Sequence, residues 1–85
     1  METINFLEQF NNFRTAVVQK AVDDYISGCQ LGNKFPKDST RYKNLVHNYN
    51  SAVHFFLSDD FSLFSELDGY EVLISLEERY GTFPI

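Results

Sequence analysis

The sequence predicts an all-α protein: a small irregular antiparallel bundle of three to four helices, two long and two short, with residues 1–85 forming one domain. Three observations carry that expectation. Apolar residues recur at steps of three and four through most of the chain, which is the spacing of one helix face. Capping residues and glycines fall between the periodic segments, where helices start and stop. With 85 residues, 44% hydrophobic, 2 Pro and 4 Gly, the chain suits one packed core and not a disordered segment.

The first element is expected from residue 3 to about residue 27. On a helical wheel, Ile4, Phe6, Leu7, Phe10, Phe13, Val17, Val18, Ala21, Val22 and Tyr25 share one broad arc. Glu8, Asn12, Thr15, Gln19 and Asp23 form the opposite stripe. The hydroxyl of Thr3 can accept an orphan N–H at the start. Either Ser27-Gly28 or Gly32-Asn33 can end the helix. Its apolar arc is wider than one neighbour covers, so several elements are expected against it. Arg14 interrupts the arc, and an acid from the C-terminal segment is its expected structural partner.

Pro36 disfavours helix at Phe35, which marks a loop. Asp38 or Ser39 then caps a second helix reaching about residue 57. Its apolar positions, Tyr42, Leu45, Val46, Tyr49, Ala52, Val53 and Phe56, follow the helical template without a gap. Phe55 lies on its polar side, where it is either covered by the next element or offered to a partner. Ser58-Asp59-Asp60 reads as a third N-terminus, opening a short helix that carries Phe61, Leu63, Phe64 and Leu67 and stops at Gly69. Asp68 and Glu71 have the spacing of a capping box for a last helix to about residue 79. Val72, Leu73, Leu76 and Tyr80 would be its core face and Gly81 its end. Residues 70–76, YEVLISL, also have strand-like composition, but a lone strand has nothing to pair with.

The core has to come from large side chains, because a domain this size buries only about 60–65% of its unfolded surface. The 9 Phe and 5 Tyr supply them. One Cys excludes a disulfide framework within the chain, and Cys29 is expected to be a semi-buried structural thiol. The opening segment METINFLEQFNNFR has no basic start followed by an apolar run. With the lone thiol, that leads to an expected cytoplasmic location. No apolar run is long enough to span a membrane.

Charge narrows the function. Residues 1–57 hold five acids and six bases, a net +1, whereas residues 58–85 hold seven acids and only Arg79, a net −6. An overall charge of −5 argues against unaided binding to nucleic acid or an anionic membrane. Asp59, Asp60, Glu66, Glu71, Glu77 and Glu78, with Phe55, are therefore the candidate protein-binding residues, and a basic protein is the expected partner. The competing reading makes these acids a solvated face that caps helices.

The remaining constellations favour no chemistry. Lys34, Lys37, Arg41 and Lys43 interleave with Phe35 and Tyr42, a pattern seen in single-strand binders, but four cations beside an acidic half read as a solvated loop. His47 and His54 are two helical turns apart, about 10.5 Å, too far for one helix to chelate a metal. No phosphate loop, nucleophile elbow or zinc-protease motif is present in the sequence, so no cofactor, no metal and no catalytic residue is expected.

Two resemblances bear on function. Residues 68–80, DGYEVLISLEERY, resemble the last helix of small acidic immunity proteins that block colicin D-type and contact-dependent-inhibition nucleases. The resemblance covers about a sixth of the chain and implies a helical, non-catalytic inhibitor of a basic nuclease toxin. Arg41 and His47 resemble the Arg-x(4–6)-His signature of HEPN-type ribonucleases, with Tyr42 where that family carries a polar residue. This alternative implies a phosphate-orienting arginine and a proton-transferring histidine. A further alternative with the same small acidic character is a phage-encoded inhibitor of a host defence or transcription protein.

Overall fold

In the computed structural model, residues 6–84 are described, with side chains from Arg14 onward. Helix α1 spans Phe6–Leu31, α2 spans Thr40–Leu57, a 3-10 turn (η1) spans Asp59–Leu63, and α3 spans Gly69–Tyr80. The all-helical expectation holds among the described residues, and residues 70–76 are helix. The Thr3 cap lies outside the described residues.

α1 is 26 residues long, about 39 Å. Gly28 does not stop it: the helix runs on to Leu31, and the Gly32 N–H still donates to the Gly28 carbonyl at 3.0 Å. Gly28 is buried because the Tyr49 and Phe83 side chains press on its Cα, where a Cβ would lie 2.8 Å from the Tyr49 ring. The expected arc faces inward where it is described, with Ala21 and Tyr25 buried and Val17, Val18 and Val22 half-buried. Thr15, Gln19 and Asp23 face solvent.

Ser39, not Asp38, caps α2. Its Oγ accepts from the Tyr42 N–H at 3.1 Å and donates to the Pro36 carbonyl at 2.6 Å, tying the loop to the helix start. All seven expected apolar positions of α2 are buried or half-buried, while Lys43, His47, Asn50 and His54 are exposed. α1 and α2 form the main interface, and α3 packs against both.

The third element departs from expectation. It is a five-residue 3-10 turn that ends at Leu63, and Gly69 opens α3 instead of closing this element. With three residues per turn, Phe61 and Phe64 eclipse each other. Phe61 is buried and Phe64 half-buried, which leaves Leu63 outside the core; Leu67, in the loop that follows, is also exposed. Asp68 caps α3 as expected, but its carboxylate accepts from the Tyr70 N–H at 2.9 Å. Val72, Leu73 and Leu76 face inward, whereas Tyr80 sits at the edge of the core, 37% exposed.

Gly81 has φ +79°, a backbone conformation that suits glycine and turns the chain out of α3. Its carbonyl accepts from the Tyr25 hydroxyl at 2.6 Å and lies 3.5 Å from the Cys29 Sγ. Beyond it, Phe83 sets its ring edge-on to Tyr42 and Tyr49, with centroids 5.8 and 5.4 Å apart. The C-terminal residues thus strap α1 to α2. Burial, aided by the adjacent Tyr49, pushes the Tyr25 phenol far above the usual tyrosine range.

The Tyr25 tether carries a test. The folded pKa is raised, so the stability Tyr25 contributes is fully present below the unfolded value of about 10 and is lost as pH rises above it. Tyr25→Phe is expected to cost about 1 kcal/mol near neutral pH, the worth of one hydrogen bond. It should also flatten the fall in melting temperature between about pH 10 and 12. An identical alkaline decline in the variant would exclude Tyr25 as its source.

Candidate protein-interaction surface

The buried centre of the molecule, Ala21, Tyr25, Ala52, Phe56, Phe61 and Leu76, fixes how η1 and α3 meet the α1–α2 pair. The exposed residues of 57–80 mix two kinds of side chain. Asp59, Asp60, Glu66, Glu71, Glu77 and Glu78 are all exposed. In the same stretch of chain, Leu57, Leu63, Leu67 and Tyr70 remain 55%, 63%, 66% and 59% exposed. Ile74, one turn after Tyr70 on α3, is also exposed.

The sequence reading places Leu63 and Leu67 on a short helix with Phe61 and Phe64 and does not mark them as surface. For Leu63 the reason is the element itself: five residues of 3-10 turn bury only one side.

The acids do not converge on one pocket. Asp59 shares a depression with Asp68, Phe61 and Leu67. Glu66 borders a second, with Arg14, Phe64 and Ser65, so the C-terminal segment does reach the Arg14 position. Glu71 lines a third, between α1 and α3, where Arg79 also lies. Glu77 and Glu78 stand near the end of α3, outside all three. Phe55 is half-buried: its ring contacts Phe56, Phe61 and Phe64 at centroid distances of 6.0, 5.3 and 5.7 Å. Coverage by the third element is the alternative the structure takes for Phe55.

The other sequence constellations are also placed. Arg41 and His47 are both exposed on α2, and the Arg41 guanidinium lies 5.5 Å from the centre of the Phe35 ring. Tyr42 is half-buried and its ring is engaged with Phe83. Burial pushes the Cys29 thiol up, which favours the protonated and unreactive form. Among the described residues, no group of three or more His, Cys, Asp or Glu side chains could hold a metal ion. No described helix is long and apolar enough to cross a membrane.

The fold and these residues define a small helical protein that exposes both acids and large apolar side chains along residues 57–78. The chain matches no protein-family model, no curated protein and no solved structure.

Proposed function

We propose that this protein is a non-catalytic binding protein that inhibits or modulates a basic partner, with a nuclease toxin the class that fits best. The observation that carries the reading is the coincidence of exposed leucines, Tyr70 and Ile74 with the acidic cluster on residues 57–78. Solvated helix caps account for acids but not for exposed large apolar side chains beside them. A protein interface needs both: apolar and aromatic anchors at its centre, and charges at its rim that steer the encounter.

Glu77 and Glu78 are the cleanest probes. They are exposed near the C-terminus of α3, where the helix dipole disfavours acids, so folding gives no reason for them. Reversing both to Lys is expected to leave the fold intact or to stabilise it by a few tenths of a kcal/mol. Against the partner retained in a pull-down from the native host, the same change should slow association and weaken its salt dependence. Leu67→Ala and Tyr70→Ala should instead speed dissociation, each by roughly tenfold or more if they are anchors. Surface plasmon resonance separates the two effects. Rates and salt dependence unchanged in every variant would reduce this face to solvated surface.

A further inference from the structure

The depression between α1 and α3 is a groove of about 390 Å³. Val22 and Ile26 form one wall, Val72, Leu76 and Tyr80 the other, and Leu67 closes one end. Its size falls within the range of clefts that receive ligand side chains. It follows α3, whose 12 residues extend about 18 Å, and it is walled by two helices. That elongated, apolar shape suits one face of a helix, whose anchors recur at i, i+3, i+4 and i+7.

Charge selects which helix. Asp68 and Glu71 stand at the Leu67 end, Arg79 is the base among the lining residues, and residues 58–85 sum to −6. A second copy of this chain, at net −5, is repelled. The five residues that precede α1 bring Glu2 and no Lys or Arg, so their charge does not complement the groove.

We infer that the α1–α3 groove is a docking site for a basic amphipathic helix of the partner protein, its apolar face seated on Val22, Ile26, Val72 and Leu76 and its bases toward Asp68 and Glu71. This rests on the protein-binding reading and specifies the element of the partner that is held and where.

The probe is a fluorescein-labelled 14-residue helical peptide with Leu at i, i+4, i+7 and i+11 and Lys at the flanking positions. Two control peptides carry Glu in place of every Lys, or the same residues in scrambled order. Fluorescence anisotropy is expected to show saturable binding of the Leu/Lys peptide alone, weakened by added salt. Ser75 is exposed and lines the groove, so Ser75→Trp should fill it and weaken binding at least tenfold. His54→Trp, on the exposed face of α2, should not. On the unmodified protein, amide NMR shifts induced by the peptide should concentrate at Val22, Ile26, Ser75 and Leu76, which keeps the test independent of how Ser75→Trp folds.

Absent binding, equal binding of the scrambled or Glu peptide, or shifts confined to the Tyr70–Ile74 side would overturn the groove. If the groove fails while Glu77→Lys/Glu78→Lys still slows association with the native partner, the broader reading survives. If both fail, neither stands.

Discussion

Phe56→Ala is expected to remove most of the stability of this protein. Phe56 is 2% exposed and is one of the two largest fully buried side chains, with Tyr25. Its ring lies 5.6 Å from that of Phe61 and 6.0 Å from that of Phe55, so it joins α2 to η1 in the middle of the core. Truncating a buried phenylalanine costs about 3–5 kcal/mol, from lost transfer free energy and the cavity left behind. A domain of 85 residues has on the order of 4–13 kcal/mol in total. The variant should therefore unfold at a much lower urea concentration, and near the bottom of that range it would be unfolded in water. Phe55→Ala, half-buried one position earlier, should cost clearly less. Urea titration followed by circular dichroism reads both. A loss below about 1 kcal/mol for Phe56→Ala would mean that the core does not close around this ring.

The contrast between these neighbours also shows how far the sequence could be read. α2 was legible throughout, because seven apolar residues at unbroken helical spacing need only one buried stripe, and all seven have it. The helical state of residues 70–76 followed from an absence of strand partners, against their local composition. Two features depend on tertiary contacts that no local pattern encodes. Gly28 looks like a stop, yet it sits inside α1 because Tyr49 and Phe83 need the space a side chain would take. The Phe83 strap has no periodicity at all; it is positioned by Gly81 and the Tyr25 hydroxyl.

The candidate surface was half legible. Its charge is a count of letters, and the acids are exposed as a charge count implies. Its apolar members were not, because a leucine in a short amphipathic segment reads as core until the length and type of the turn are known. Leu63 ends a 3-10 turn that buries Phe61, and Leu67 lies in the loop before α3; both are exposed.

Gly69→Ala is the second large effect, and here local propensity and packing predict opposite signs. Gly69 is the first residue of α3, and its φ is not positive. Alanine can therefore adopt its backbone conformation, and in a helix it is favoured over glycine by about 1 kcal/mol at most. A Cβ at this position, however, would collide with the carbonyl oxygen of Phe56 and come within 3.1 Å of the Phe61 ring. The obstacle is backbone at the end of α2, not the tip of a flexible side chain, so relief requires α3 to move away from α2. That movement would open the contact over Phe56 and Phe61, two of the most buried rings in the protein. Overpacking of this kind costs roughly 1–3 kcal/mol and more where backbones must separate, so packing outweighs propensity. Gly81→Ala is the informative control. Nothing lies within 4 Å of its Cβ position, and its cost comes from backbone strain at φ +79° and ψ −150°, about 1–3 kcal/mol. The two variants should also differ in kind. Gly69→Ala should shift the amide NMR signals of α2's last turn and η1, while Gly81→Ala should leave those signals in place and perturb the Tyr25–Gly81 tether. A neutral or stabilising Gly69→Ala would show that α3 can shift at no cost, and the groove between α1 and α3 would then lose its fixed wall.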